Sequence, residues 1–184
     1  MELAIRGRRD GQGADGGDLI GLNPTDRGKK GVKRSVLVEA DGGPLAVAIG
    51  GANVHDTKLL AATLGAVVVE RPQPTEASPR HLCLDKGYDN PTGHQAAAAF
   101  GYVAHIRRIG EEKLDDRRKK TRPARRWVVE RTLAWPSKCR ALSIRYDKKS
   151  VTGTEAGATH LGLLQLACAL LWYRRKLRLA KVGG

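Results

Sequence analysis

Asp85 closes the short apolar run His81-Leu-Cys-Leu84, and Lys86-Gly-Tyr-Asp89 follows it. A carboxylate at the carboxyl end of a strand, on backbone already paired in a sheet, is placed to ligate a metal or to act as a base. The same residues also suit a plain turn, in which Asp85 and Asp89 only favour the bend before the next helix. Glu130 lies in Arg125-Arg-Trp-Val-Val-Glu-Arg-Thr-Leu-Ala-Trp135. On a helix, Arg126 falls about 40° from it, and Lys138 about 80° if the helix continues, so one edge displays a carboxylate flanked by cations. An exposed ion pair of small worth explains that edge too. The surrounding Val-Val and Leu-Ala-Trp favour a Glu130 near a covered face.

Two carboxylates on separate elements suit a divalent cation handling phosphate, because the chain is strongly basic: 33 Lys and Arg against 19 Asp and Glu give a net charge of +14. Mg²⁺ needs only one or two protein carboxylates when phosphate and water supply the rest, and Lys and Arg bind the flanking backbone. Other chemistries lack their residues. There is no phosphate-cradling G-x-x-x-x-G-K-[ST] loop, no dinucleotide fingerprint and no H-E-x-x-H. Cys83, Cys139 and Cys168 form no C-x-x-C pair, which argues against a disulfide framework or structural zinc and for a reduced cytosolic setting. Aromatics at 4% make a surface of stacked rings a poor expectation. Of the five histidines, only His55 beside Asp56 invites a role, and helix capping by Asp56 accounts for that pair.

The elements that must position these acids follow from pattern. Residues 1–31 carry no sustained period and read as an irregular arm. Ser35–Ala40 and Pro44–Ile49, joined by Asp41-Gly-Gly43, predict a hairpin. A helix over 58–64 follows, capped by Asp56 or Thr57, then a proline-rich loop, the strand 81–84, a helix over 92–100 and a strand over 102–106. That order predicts an α/β layer with a mixed sheet and flanking helices. Residues 107–126 hold ten Lys or Arg against four acids and are expected to stay mobile. Helices over 125–135 and 161–179 complete the domain 32–179. Pro136 should kink or end the first of them and turn Lys138 elsewhere, and 150–159 reads as a loop. The greasy run 161–173 is too short to span a bilayer.

Five segments in order, Gly21-Leu-Asn-Pro-Thr-Asp-Arg-Gly28, Gly50-Gly-Ala-Asn-Val-His-Asp56, Leu84-Asp-Lys-Gly-Tyr-Asp89, Arg126 to Trp135 and Leu166-Ala-Cys-Ala-Leu170, resemble the catalytic domain of bacterial insertion-sequence transposases of the DDE class, the insertion-sequence four and five group. The resemblance implies a ribonuclease-H-like fold, whose mixed sheet carries two catalytic Asp residues and a following helix the Glu. It makes Asp85 the second acid and Glu130 the third, with Asp10 the candidate for the first. All three are then catalytic and metal-binding, with Mg²⁺ or Mn²⁺ as cofactor. Arg126 and Lys138 match basic residues near the cut; Arg131, Lys119, Lys120 and Arg122 join them as DNA-binding candidates.

The implied activity is hydrolysis of the phosphodiester at the element's terminal inverted repeats and strand transfer into target DNA. Implied partners are that DNA, a homo-oligomer and the product of an upstream frame, because the segment that precedes the domain in longer relatives is missing. The expected place is the cytoplasm, on the nucleoid when DNA-bound, with no membrane. If Asp10 is not a ligand, two acids remain and the expectation becomes a remnant that binds DNA without cutting it. A basic RNA-binding protein is the third alternative, favoured by charge alone.

Overall fold

The computed structural model describes residues 2–13, 19–24, 27–106, 126–145 and 156–182. Among the described residues seven strands form one sheet: β1 (Glu2–Gly13), β2 (Gly21–Leu22), β3 (Lys30–Glu39), β4 (Pro44–Gly51), β5 (Arg80–Leu84), β6 (Tyr102–Ile106) and β7 (Ile144–Arg145). The helices are α1 (Asp56–Gly65), α2 (Pro91–Ala99), α3 (Arg126–Ala134), the one-turn α4 (Arg140–Ser143) and α5 (Ala156–Val182). The chain is thus a mixed α/β protein. β3 runs antiparallel to both β1 and β4, and β5 runs parallel to both β1 and β6.

β1 is the departure from the sequence reading, which takes residues 1–31 as an irregular arm. The backbone of 2–13 instead pairs with β3 along most of its length, and Glu2–Ile5 also pair with β5, Leu3 lying opposite both Glu39 and Leu82. Arg6, Arg8, Arg9, Asp10 and Gln12 leave no apolar period to read. The strand is defined by two partners distant in sequence, and pairing of that kind overrides weak local propensity.

Both faces of the sheet are covered, and alternation along β3 assigns them. Val32, Val36 and Val38 pack with Val128, Val129 and Leu133 of α3 and with Leu164 and Ala167 of α5. Leu37, with Leu82 and Leu84 of β5, packs on the other side against Leu60 and Leu64 of α1, Ala97 of α2 and Tyr88. A strand apolar on both faces belongs in the middle of such a layered domain.

Two polar contacts tie β3 to α1. Lys33 is buried, donates to Val54 O and lies 2.8 Å from Asp56 Oδ1. Thr63 Oγ1 lies 2.7 Å from Leu59 O and 2.8 Å from Ser35 Oγ; its single proton serves one of them and its lone pairs the other. α1 starts at Asp56, one residue earlier than an Asp56 cap requires, so its cap is His55, whose Nδ1 accepts from Thr57 N, and not the expected Asp56 or Thr57. α5 begins at Ala156, so the expected loop over 150–159 gives way to helix for its last four residues.

The predicted hairpin forms, and its turn anchors both helices of one face. Glu39 N donates to Gly43 O, and Gly42, at φ +92°, donates to Glu39 O. From α3, Thr132 Oγ1 donates to Gly42 O at 2.8 Å and Arg131 Nη2 to Asp41 O at 3.0 Å. From α5, Trp172 Nε1 donates to Pro44 O at 2.7 Å, and Arg175 pairs with Glu39 and Asp41.

A side chain at Gly42 would adopt a left-handed backbone and meet Arg131 Nη2 at 3.0 Å. Gly42→Ala is therefore expected to cost about 1–3 kcal/mol and several degrees of Tm. Gly87→Ala, which meets nothing within 4 Å, should leave Tm nearly unchanged; equal melting of the two variants in a thermal scan would contradict this account of the turn.

Candidate active site and nucleic-acid surface

Asp85 leaves β5 on extended backbone (φ −70°, ψ 156°). Cys83, two residues earlier, packs against the cluster beneath α3 and α5, whereas Leu82 and Leu84 face α1 and α2. Alternation therefore brings Asp85 out on the α3 side of the sheet. Its Oδ1 accepts from Lys86 N at 2.8 Å and caps a 3-10 turn over Lys86–Tyr88. The turn reading of this residue is thus realised, together with its position at a strand end.

The rest of the motif builds the turn that holds Asp85. Asn90 Oδ1 caps α2 by accepting from Gly93 N at 2.9 Å, and Asn90 Nδ2 donates to Gly87 O. Pro91 takes the first helical position, where its missing donor costs nothing. Gly93 is required because a Cβ there would collide with the Tyr88 carbonyl. Asp89 lies 3.2 Å from His94 Nε2.

α3 packs over β1 and β3. Val128, Val129, Thr132 and Leu133 form its covered face, and Glu130 is exposed on the other. This corrects the expectation of a Glu130 near a covered face: Val-Val precedes it and Thr-Leu follows it, and the 100° step between neighbours turns the residue between them to solvent. Asp85 and Glu130 thus belong to elements on one side of the sheet.

The remaining candidates divide. Pro136 ends α3 as expected, and Lys138 is exposed in a separate 3-10 turn, Pro136–Lys138, so it no longer shares a helix edge with Glu130. Arg131 reaches the hairpin turn. Lys119, Lys120, Arg122 and the side chain of Arg126 lie outside the described residues. Asp10 stands opposite Val32 in β1, next to an irregularity in the ladder. The β1–β5 register ends with Ile5 opposite Leu84, so the next step sets Asp85 level with Arg6. Position 10 lies four residues further along, about 13 Å at the rise of a strand. Among the described residues no three His, Cys, Asp or Glu side chains stand close enough to hold a metal ion.

Some features have no sequence signal at all. His81 Nδ1 and His105 Nε2 approach to 2.7 Å across β5 and β6. Lys176 and Arg178 add exposed cations on α5. None of the three cysteines forms a disulfide, and burial pushes the Cys168 thiol up to about 11, which leaves it protonated at neutral pH.

Residues 8–161 match the family described as Transposase DDE domain. The chain belongs to that family. It is also 33% identical over 154 residues to the inferred transposase of insertion sequence element IS402 from Burkholderia cepacia, covering 82% of this chain and 67% of that protein. Among solved structures, the piggyBac transposase synaptic complex with hairpin DNA is similar over 66% of this chain at 12% identity and a TM-score of 0.38. This transposase domain spans about a quarter of that structure's length, 26%. No helix among its described residues is long and apolar enough to cross a membrane.

The cap and any chemical role of Asp85 are separable. Asp85→Ala removes the acceptor for Lys86 N and is expected to cost about 1 kcal/mol, whereas Asp85→Asn keeps an acceptor there and should melt close to the native domain. Denaturant melts of the two variants check this; equal losses would show that the carboxylate charge, not the cap, stabilises the turn.

Proposed function

We propose that this transposase domain binds DNA and acts on its phosphodiester backbone through Asp85 and Glu130. The observation that carries the proposal is their shared side of the sheet: one leaves the end of β5 and the other stands exposed on the helix over β1 and β3. A mixed sheet with acids at those two places also supports the ribonuclease-H-like reading of the fold. The name of the IS402 relative supports insertion-sequence ends as the DNA concerned.

Oxygen donors of this kind suit Mg²⁺ or Mn²⁺, which needs one or two carboxylates when phosphate and water complete its shell. Such an ion supplies activation of the attacking oxygen and stabilisation of the leaving one. The chain's own part is to hold the phosphate near the two acids and to neutralise the flanking backbone. Lys138 and Arg126, near Glu130 in sequence, are the first candidates for that neutralisation, and Lys119, Lys120 and Arg122 extend it.

The β1 register favours a second reading, in which the domain binds DNA without cutting it. Donors to one Mg²⁺ each lie about 2 Å from the ion, and position 10 is about 13 Å along β1 from the level of Asp85. Arg6, not an acid, occupies that level. This backbone spacing supports a reading in which position 10 does not supply the first acid.

Purified protein, Mn²⁺ and an end-labelled duplex copied from the DNA flanking the gene separate the readings. The first expects nicks in the native protein that fall at least about 100-fold, roughly 2.7 kcal/mol of barrier, in Asp85→Asn and in Glu130→Gln, with a much smaller change in Asp10→Asn. Salt-sensitive binding without nicks establishes the second reading and overturns the first. In either case log affinity should fall by about 0.9 per neutralised phosphate per decade of salt, and a flat response in a binding titration would reject the DNA role.

A further inference from the structure

α5 is a 27-residue helix with two apolar faces, of which the described residues cover one. Gly157, His160, Leu164 and Ala167 point inward and are buried. About 120° away around the helix, Leu163, Leu166, Leu170, Tyr173 and Leu177 are exposed, Leu166 at 58% and Tyr173 at 60%. Their steps of three, four, three and four residues are the heptad spacing of a helix that pairs with another helix. These side chains hold within about 80° of arc along about 21 Å of helix. No described element covers them.

The charges along α5 say how a second helix would lie. From Ala156 to Tyr173 the helix carries no Lys, Arg, Asp or Glu, and from Arg174 onward it carries Arg174, Arg175, Lys176, Arg178 and Lys181. A parallel pair would set these basic ends side by side, where like charges repel. An antiparallel pair centred on Leu170 sets each basic end against the uncharged first half of its mate. It also matches the stripe to itself, Leu163 with Leu177, Leu166 with Tyr173, and Leu170 with Leu170.

We propose that this face of α5 is the interface for a second copy of the chain, packed antiparallel about a two-fold axis at Leu170. Four turns of paired helix with their flanking residues bury on the order of 1,000 Å² in total, the threshold for a specific interface.

Sedimentation velocity on the full chain, from about 1 to 50 µM in DNA-free buffer, reads this directly. The expected result is a concentration-dependent monomer–dimer equilibrium that Leu166→Glu/Leu170→Glu shifts to monomer, with circular dichroism and Tm close to native. Disulfide trapping gives the orientation and does not depend on the charged variant folding: Leu170→Cys should cross-link to itself on mild oxidation well above the native chain, and Leu177→Cys should not. A native chain that stays monomeric at the highest concentration overturns the proposal. So does a dimer untouched by the folded double variant, or a Leu177→Cys chain that cross-links as fully as Leu170→Cys.

Discussion

The backbone pairing of β1 on both its edges is the constraint on which the arrangement rests. On one edge it extends the antiparallel meander of β3 and β4, and on the other it opens the parallel half made by β5 and β6. Without it the two halves of the sheet share no hydrogen bonds, and α3, which packs over β1 and β3, loses half its floor. The level of Asp85 is measured against this strand, and so is the distance from Asp85 to position 10. A central strand lets backbone donors and acceptors do the positioning, which is why so polar a segment can occupy it.

Around that strand the two faces have different duties. The α1 and α2 side is a closed apolar layer, joined to β3 by the buried Lys33–Asp56 pair and the Ser35–Thr63 contact. The α3 side carries Asp85 and Glu130. There the helices are fixed at one end by the hairpin turn, through Thr132, Arg131, Trp172 and Arg175. Arg131 therefore has structural work that a residue chosen only for DNA contact would not have. Held this way, α3 presents Glu130 to solvent on a rigid element, the arrangement that a carboxylate needs if it is to meet a large anionic substrate.

Much of this was legible in the residues. The Asp41-Gly-Gly43 turn, the strand before Asp85, the helix after Asn90 and the end of α3 at Pro136 all follow from local rules for glycine, proline and capping side chains. What was not legible depended on distant partners. β1 has no period of its own. His55 caps α1, while Asp56, the first helical residue, pairs with the buried Lys33 of a distant strand. The exposure of Glu130 turned on which side of α3 met the sheet, since apolar neighbours on both sides in sequence are compatible with either outcome. The acids could be named from their motifs, but their relative levels along the sheet required the register.

The most direct test of the central claim, that Asp85 and Glu130 work on one ion from the same side of the sheet, is Mn²⁺ binding to the protein–duplex complex followed by electron paramagnetic resonance. The account predicts a bound Mn²⁺ signal in the native complex that is lost alike in Asp85→Asn and Glu130→Gln while the duplex stays bound. A signal that survives either substitution at full strength would contradict it.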